Sequence, residues 1–356
     1  MGALWLQQIF KQYDDWELQV DLEVSDGEMM TLLGPSGCGK TTTLRLIAGF
    51  IRADRGHVHV GGDCLDHVPP FRRNIGVVFQ DYALFPHMDV FKNIAFGMRM
   101  KKRHSPQAMR QRVEELLALV GLEGYEHRYP EQLSGGEQQR IALLRAIAPQ
   151  PTMLLLDEPL SALDFQLRKR LRQEIRKIQQ RFGITTIYVT HDQEEAMSIS
   201  DRITVMNNGR VQQIGAPVEI YQRPKTAFVA QFVGISNVLS GEIVTKNATR
   251  MVVQTAHHAL TIPAEAEAAP RDAVTCFFRP EDTFLSLEPV EINALRGVIV
   301  GHEYLGAEIL ITVETDGKQP ILVSNYIKNE TLIPHDGAEV WVNIPVSACQ
   351  LVAGGA

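Results

Sequence analysis

Residues 29–48 read MMTLLGPSGCGKTTTLRLIA, and the architecture of the first 235 residues follows from this stretch. Met29 to Leu33 is a short, unbroken apolar run, the pattern of a strand buried on both faces of a parallel sheet. The run TTLRLIAG that closes the stretch has helical character. Between them, Gly34-Pro35-Ser36-Gly37-Cys38-Gly39-Lys40-Thr41 fits G-x4-G-K-[ST], a phosphate-binding loop in the strand–loop–helix setting that it requires. Gly34, Gly37 and Gly39 let successive backbone N–H groups turn inward on an anion, and the following helix adds the positive end of its dipole. Lys40 is expected to reach the β- and γ-phosphates, and Thr41, followed by Thr42, to offer a hydroxyl to Mg²⁺. Such a match arises by chance in about 1% of chains of this length, so a plain glycine-rich turn is a weak alternative.

Two further apolar runs extend the pattern: MLLLDEP (153–159) and ITTIYVTHD (184–192). A strand ending in Asp157 places a carboxylate at the edge of the sheet where the phosphate loop lies, suited to holding Mg²⁺. Glu158, the next residue, is a candidate general base for an attacking water. Between these runs Leu167, Leu171, Ile175 and Ile178 recur at helical spacing. Arg168, Lys169, Arg170, Arg172, Glu174, Arg176 and Lys177 fill the other positions and read as the solvated face of an amphipathic helix. Loop and carboxylates together imply an α/β P-loop NTPase, a class that spans kinases, GTPases, helicases and transport ATPases.

The segment QLSGGEQQRIALLRA (132–146) narrows the class. Leu133-Ser134-Gly135-Gly136-Glu137 resembles the signature motif of ATP-binding cassette (ABC) ATPases. Ser134, Gly135 and Gly136 at a helix start make a second anion-binding nest, which the local phosphate loop leaves free for a nucleotide bound by another copy. The resemblance implies roles for residues that alone would be unremarkable. Gln80 in VFQDYALFPHM is placed as the Q-loop glutamine near Mg²⁺ and the γ-phosphate, Asp164 in SALD as the D-loop residue at a dimer interface, and His191 as the switch histidine. Tyr13 occupies the position of an adenine-stacking ring, with Trp16 as a rival. Two departures are mild: Glu137 stands where many relatives carry Gln, and LLRAIAPQ where Ala-Arg-Ala is usual.

From Ser236 the texture changes to short β-type runs, RGVIVGH, AEILITVE, PILVSN and AEVWVNIPV, with Asp-Gly turns at 316–317 and 336–337. PAEAEAAPRD (263–272) reads as a loop, and FRPED (278–282) as a structural turn. The fold expected is a RecA-like parallel sheet with a helical subdomain (about 84–150) and an antiparallel β subdomain over residues 1–235. A small all-β, OB-like regulatory domain follows over 236–356. This layout resembles importer ATPases of the spermidine/putrescine, maltose, sulfate and ferric-iron type. It implies ATP and Mg²⁺ as cofactors, a second ATPase chain, two transmembrane permease subunits and an extracytoplasmic substrate-binding protein as partners. The place of work is then the cytoplasmic face of the cell membrane. Polyamine is the cargo expected from SALDFQLRKRLRQEI and YQRPKTAFVAQFVG, with ferric iron, sulfate and phosphonate close behind.

Charge and composition agree. With 45% hydrophobic and 22% charged residues in 356 the chain has a globular composition, and its formal charge is −7. The excess is in the tail: residues 236–356 hold 7 basic and 15 acidic side chains. Neither part has the clustered Lys and Arg that phosphate neutralisation demands, so nucleic acid is not an expected partner. Four dispersed cysteines fit neither a zinc ribbon nor a disulfide framework. No apolar stretch reaches the roughly 18 residues of a membrane span, and no secretory leader is evident, so a soluble cytosolic chain is expected.

Overall fold

The structure, a computed structural model, describes residues 2–101, 104–161, 163–265, 268–326 and 335–352. It divides into two compact units, residues 1–220 and 221–356. That division falls ahead of the change in texture at Ser236, because the helical segment before it packs with the β strands that follow.

The first unit is built on one ten-stranded sheet. Its strands are β1 (Leu4–Gln12), β2 (Glu17–Val24), β3 (Met29–Leu33), β4 (Arg55–Val60), β5 (Asp63–Cys64), β6 (Ile75–Val78), β7 (Met153–Asp157), β8 (Thr185–Thr190), β9 (Arg202–Asn207) and β10 (Arg210–Gly215). They are ordered β5-β4-β1-β2-β10-β9-β3-β8-β7-β6. From β9 to β6 all neighbours run parallel, while β1 pairs antiparallel with β2 and β4. The three apolar runs of the sequence are therefore the central parallel strands β3, β7 and β8, and each is buried nearly throughout. Helix α1 (Lys40–Ala48) springs from β3, and α2 (Val90–Lys101), α3 (Pro106–Leu119) and α4 (Gly135–Ile147) form a helical layer sharing one apolar core with Met29, Val78, Leu156 and Tyr188 of the sheet.

Helix α5 (Phe165–Phe182) shows how locally the chain specifies itself. The Asp164 side chain accepts from Leu167 N–H at its start, and Gly183, at φ 59°, ends it. Leu171, Ile175 and Ile178 are buried as the spacing predicts. The basic face is only partly solvated. Lys169, Arg170 and Lys177 are exposed, but Arg172 is buried, 7% exposed, and bonds Glu194 at 2.7 Å. Arg168 bonds Asp192 and Arg176 bonds Asp201, so these side chains clamp α5 to the region of α6 (Gln193–Ile199). Partners 20 or more positions away along the chain leave no mark in helical spacing, which is why the solvated reading fails here.

The second unit contains α7, whose span Pro217–Gln222 crosses the division, and α8 (Ala227–Phe232). The remainder is two antiparallel sheets. One has the order β13-β12-β11-β14-β20, from β11 (Asn237–Lys246), β12 (Arg250–Thr255), β13 (Ala259–Pro263), β14 (Ala273–Phe278) and β20 (Gln350–Val352). The other has the order β15-β19-β16-β17-β18, from β15 (Phe284–Ser286), β16 (Asn293–Tyr304), β17 (Glu308–Thr315), β18 (Pro320–Tyr326) and β19 (Glu339–Ile344). Ile243, Val253 and Phe278 of the first share one core with Ile311, Val323 and Val342 of the second. The four β runs read from the sequence are β16 to β19. The segment 263–272 links β13 to β14, with residues 266–267 outside the described part. Arg279, the second residue of FRPED, is 3% exposed. It donates to the carbonyls of Tyr221, Ala230 and Ile235 and lies over the Tyr221 ring at 4.0 Å. The string is thus a structural turn, with Pro280–Asp282 as one turn of 3-10 helix.

Candidate active site

The phosphate loop joins β3 to α1, and its shape rests on three glycines. Gly37 and Gly39 hold φ of 81° and 106°, values that favour glycine. At Gly34 a Cβ would stand 2.3 Å from the Met206 carbonyl and 2.6 Å from Cys38 Sγ, so no larger residue fits. Lys40 is 5% exposed and its Nζ donates to the carbonyls of Gly34 at 2.7 Å and Pro35 at 2.9 Å. The ammonium thus holds the loop in a closed curve. Cys38 is buried under it, its Sγ 3.8 Å from Lys40 Nζ; burial pushes the thiol up against the pull of the lysine.

Ser36, Gly37, Gly39, Lys40, Thr41 and Thr42 line a cleft of about 490 Å³. Tyr13 and Trp16, from the turn between β1 and β2, form its aromatic wall. Their rings are 5.6 Å apart and tilted by 36°. Trp16 is half-buried beside Gly39, where a Cβ would come within 3.1 Å of its ring, whereas Tyr13 is 40% exposed. Arg45 also lines the cleft, one turn beyond Thr41 on α1. No sequence motif marks Arg45; only the helical fold of residues 40–48 puts it on one face with Thr41.

Parallel pairing of β7 beside β8, with β3 on the other side of β8, brings the acidic pair to the mouth of the loop. Thr41 Oγ1 donates to Asp157 Oδ1 at 3.1 Å. Burial raises the Asp157 carboxyl above the ordinary aspartate range, the Thr41 hydroxyl and the cations Arg45 and Lys40 opposing it. Hydroxyl and carboxylate oxygens at the foot of a phosphate cradle are the donors a hard cation such as Mg²⁺ takes, so the residues present fit that ion. Glu158 lines the cleft at φ 44°, a left-handed conformation unusual for a side chain of its size. Its N–H donates to the Val189 carbonyl at 3.0 Å, which fixes that turn to the end of β8. His191 Nδ1 lies 3.3 Å from Glu158 Oε1.

The remaining candidates stand outside this cleft's lining. Gln80 is exposed just past β6. Arg145 of α4 donates to the carbonyls of Tyr82 and Ala83 and so anchors the loop that carries Gln80. Ser134 caps α4: its hydroxyl accepts from Glu137 N–H at 3.4 Å and donates to Glu137 Oε2 at 2.8 Å. Gly135 and Gly136 form the first turn, and Asp164 caps α5 with its side chain exposed. The site residues therefore fall into two groups, one around the cleft and one at the exposed starts of α4 and α5.

Residues 18–161 match the ABC transporter family and residues 277–352 the TOBE domain. The chain is 44% identical over 333 residues to the spermidine/putrescine import ATP-binding protein PotA of Pseudomonas fluorescens (strain Pf0-1), covering 94% of this chain and 92% of that one. The protein of the same name from Roseobacter denitrificans is 42% identical over 357 residues, covering 99% and 98%. That from Trichormus variabilis is 47% identical over 300 residues, covering 83% and 78%. A solved ATP-binding cassette, described as a dimer in a post-hydrolysis state bound to ADP and Pi, superposes with a TM-score of 0.54 at 30% identity. It covers 60% of this chain and 98% of its own.

Proposed function

Because the chain belongs to the ABC transporter family, as an ATP-hydrolysing subunit, we propose that it powers import of the polyamines spermidine and putrescine across a cell membrane. One observation carries the cargo: likeness to a named polyamine import subunit runs through 99% of the chain and so includes the β unit as well as the ATPase. No helix among the described residues is long and apolar enough to cross a membrane. The chain works as a peripheral component on the cytoplasmic face, through two permease subunits that receive cargo from an extracytoplasmic binding protein.

ATP lies with its phosphates in the Gly34–Thr42 loop and its adenine against Tyr13, the more exposed ring, with Trp16 behind. Lys40 exchanges its two loop carbonyls for β- and γ-phosphate oxygens. Thr41, Asp157 and Gln80 would hold Mg²⁺, which when bound neutralises phosphate charge. Glu158 accepts the proton of the attacking water, and His191 orients Glu158 and contacts the γ-phosphate. A second copy supplies Ser134, Gly135, Gly136 and Glu137 across the nucleotide, with Asp164 at the same interface. Two equivalent sites then form head to tail, as twofold symmetry requires. ATP favours the closed dimer because only closure brings both half-sites to it, and this preference is what moves the permeases.

The decisive experiment is uptake of labelled spermidine, putrescine, ferric iron, sulfate and an aminophosphonate in a strain lacking the gene, with rescue by wild type or by Glu158→Gln. Polyamine uptake lost and restored only by wild type is the expected result. Loss of a different uptake replaces the cargo and leaves the ATPase in place.

A further inference from the structure

β4 and β5 form a hairpin at one edge of the ten-stranded sheet, turning through Gly61 and Gly62. The stretch His57–His67, HVHVGGDCLDH, is dense in groups that bind metals. Alternation along β4 sends Val58 and Val60 into the core and leaves His57 and His59 on the opposite face. Cys64 pairs directly with His59 across the hairpin and so shares that outer face. Asp66 follows, with Oδ1 accepting from Val58 N–H at 2.9 Å and Oδ2 lying 2.7 Å from His57 Nδ1. An imidazole nitrogen, a thiol sulfur and a carboxylate oxygen, from His57, Cys64 and Asp66, all lie within 4.8 Å of one another.

His59, on the same face, packs its ring against Trp5 at 5.9 Å and is not one of the three clustered donors. An exposed ion pair between His57 and Asp66 would account for two of these groups, but such a pair contributes little by itself and does not need the thiol. The bond from Val58 N–H fixes the orientation of the Asp66 carboxylate in the way outer partners of metal ligands do.

We propose that His57, Cys64 and Asp66 form a binding site for a borderline-soft divalent transition metal ion, zinc(II) above all, with its fourth position open to solvent. Mixed nitrogen, sulfur and oxygen donors suit zinc, whereas the all-oxygen donors at Thr41 and Asp157 suit Mg²⁺, so the two sites sort their ions by chemistry. Binding displaces the proton shared by His57 and Asp66 and the thiol proton of Cys64, and ties the 64–66 segment to β4. Arg73 holds the carbonyls of Leu65 and Val68 from the same segment together with those of Leu46 and Ile47 at the end of α1. An ion at the hairpin thus braces a segment already tied to the helix that begins with Lys40. This site is independent of the cargo and of the nucleotide chemistry.

The test is titration of the full-length chain, freed of any polyhistidine tag and kept reduced without added thiol, with Co²⁺ as a spectroscopic stand-in for zinc. Thiolate-to-cobalt absorption saturating at about one ion per chain, reversed by Zn²⁺ and not by Mg²⁺, is expected. Cys64→Ser should abolish that band, and His57→Ala should weaken Co²⁺ binding by about tenfold or more. Both variants should keep wild-type ATP affinity and circular dichroism, which separates a lost ligand from a lost fold. Absence of the band in the wild type, or its survival in Cys64→Ser, overturns the proposal, the second result placing the metal on another thiol such as Cys38.

Discussion

His191 Nδ1 and Glu158 Oε1 stand 3.3 Å apart although 33 positions of chain separate them, and the Glu158 N–H is bonded to the carbonyl of Val189, two residues before that histidine. Adjacent parallel strands make this contact a property of the sheet rather than of either loop. Glu158→Gln keeps the size and most of the packing of the side chain but cannot take a proton. ATP turnover should fall by about 10²- to 10⁴-fold while ATP binding persists, and gel filtration with ATP should show a trapped dimer. Hydrolysis at the wild-type rate would move the role of base to another group.

Lys40 is buried and bonded to two carbonyls of its own loop. Charge-assisted bonds to phosphate are worth about 1.5–3 kcal/mol, so Lys40→Ala should raise the ATP dissociation constant by roughly ten- to a hundredfold. Fluorescent-nucleotide titration reads this directly, and unchanged affinity would contradict the cradle.

Asp157 is held above the ordinary aspartate range by burial. A carboxyl whose folded value is raised contributes stability only at low pH, and that contribution is lost as pH rises through the raised value. Asp157→Asn removes the cost of the buried charge and can still accept from Thr41. The nucleotide-free variant should therefore melt at a higher temperature than wild type at neutral pH, with the gap closing in acid, while its Mg²⁺-dependent ATPase activity is lost. Calorimetry across the pH range checks the sign.

At the start of α4, Ser134 N–H and hydroxyl both bond Glu137, and the backbone bond is the first cause of that carboxyl lying below the usual glutamate range. A lowered acid stabilises above its ordinary value and loses that contribution as pH falls through the lowered one. Ser134→Ala should cost about 1 kcal/mol and abolish ATP-dependent dimerisation. Glu137→Gln keeps both capping bonds but loses the charge, so it should melt slightly below wild type at neutral pH with the gap closing in acid, while ATP-dependent dimerisation persists. Thermal melts and light scattering with ATP distinguish the two variants.

The parallel strands β3, β7 and β8 were legible because each is a continuous apolar run bounded by a turn with chemistry in it. The phosphate loop was legible because its glycines answer to backbone conformation, which spacing records. Arg45 and the buried Arg172 were not. One needed the face of a helix to be resolved around Thr41, and the other a partner in Glu194, reached only through the tertiary fold. The first sheet of the β unit was fainter, since a register shift between Ile243 and Thr245 breaks the alternation of β11. Sequence placed Ser134 and Glu137 at a helix start, but their pairing as each other's partners appears only in the fold.

Arg279 sets where the chain can be cut. All three carbonyls it holds, those of Tyr221, Ala230 and Ile235, precede Ser236, where the composition changes. A fragment begun at Ser236 would keep the whole β texture and yet lose, with these acceptors, the Tyr221 ring that covers the guanidinium. The excisable piece is therefore defined by one arginine's reach and begins no later than Tyr221.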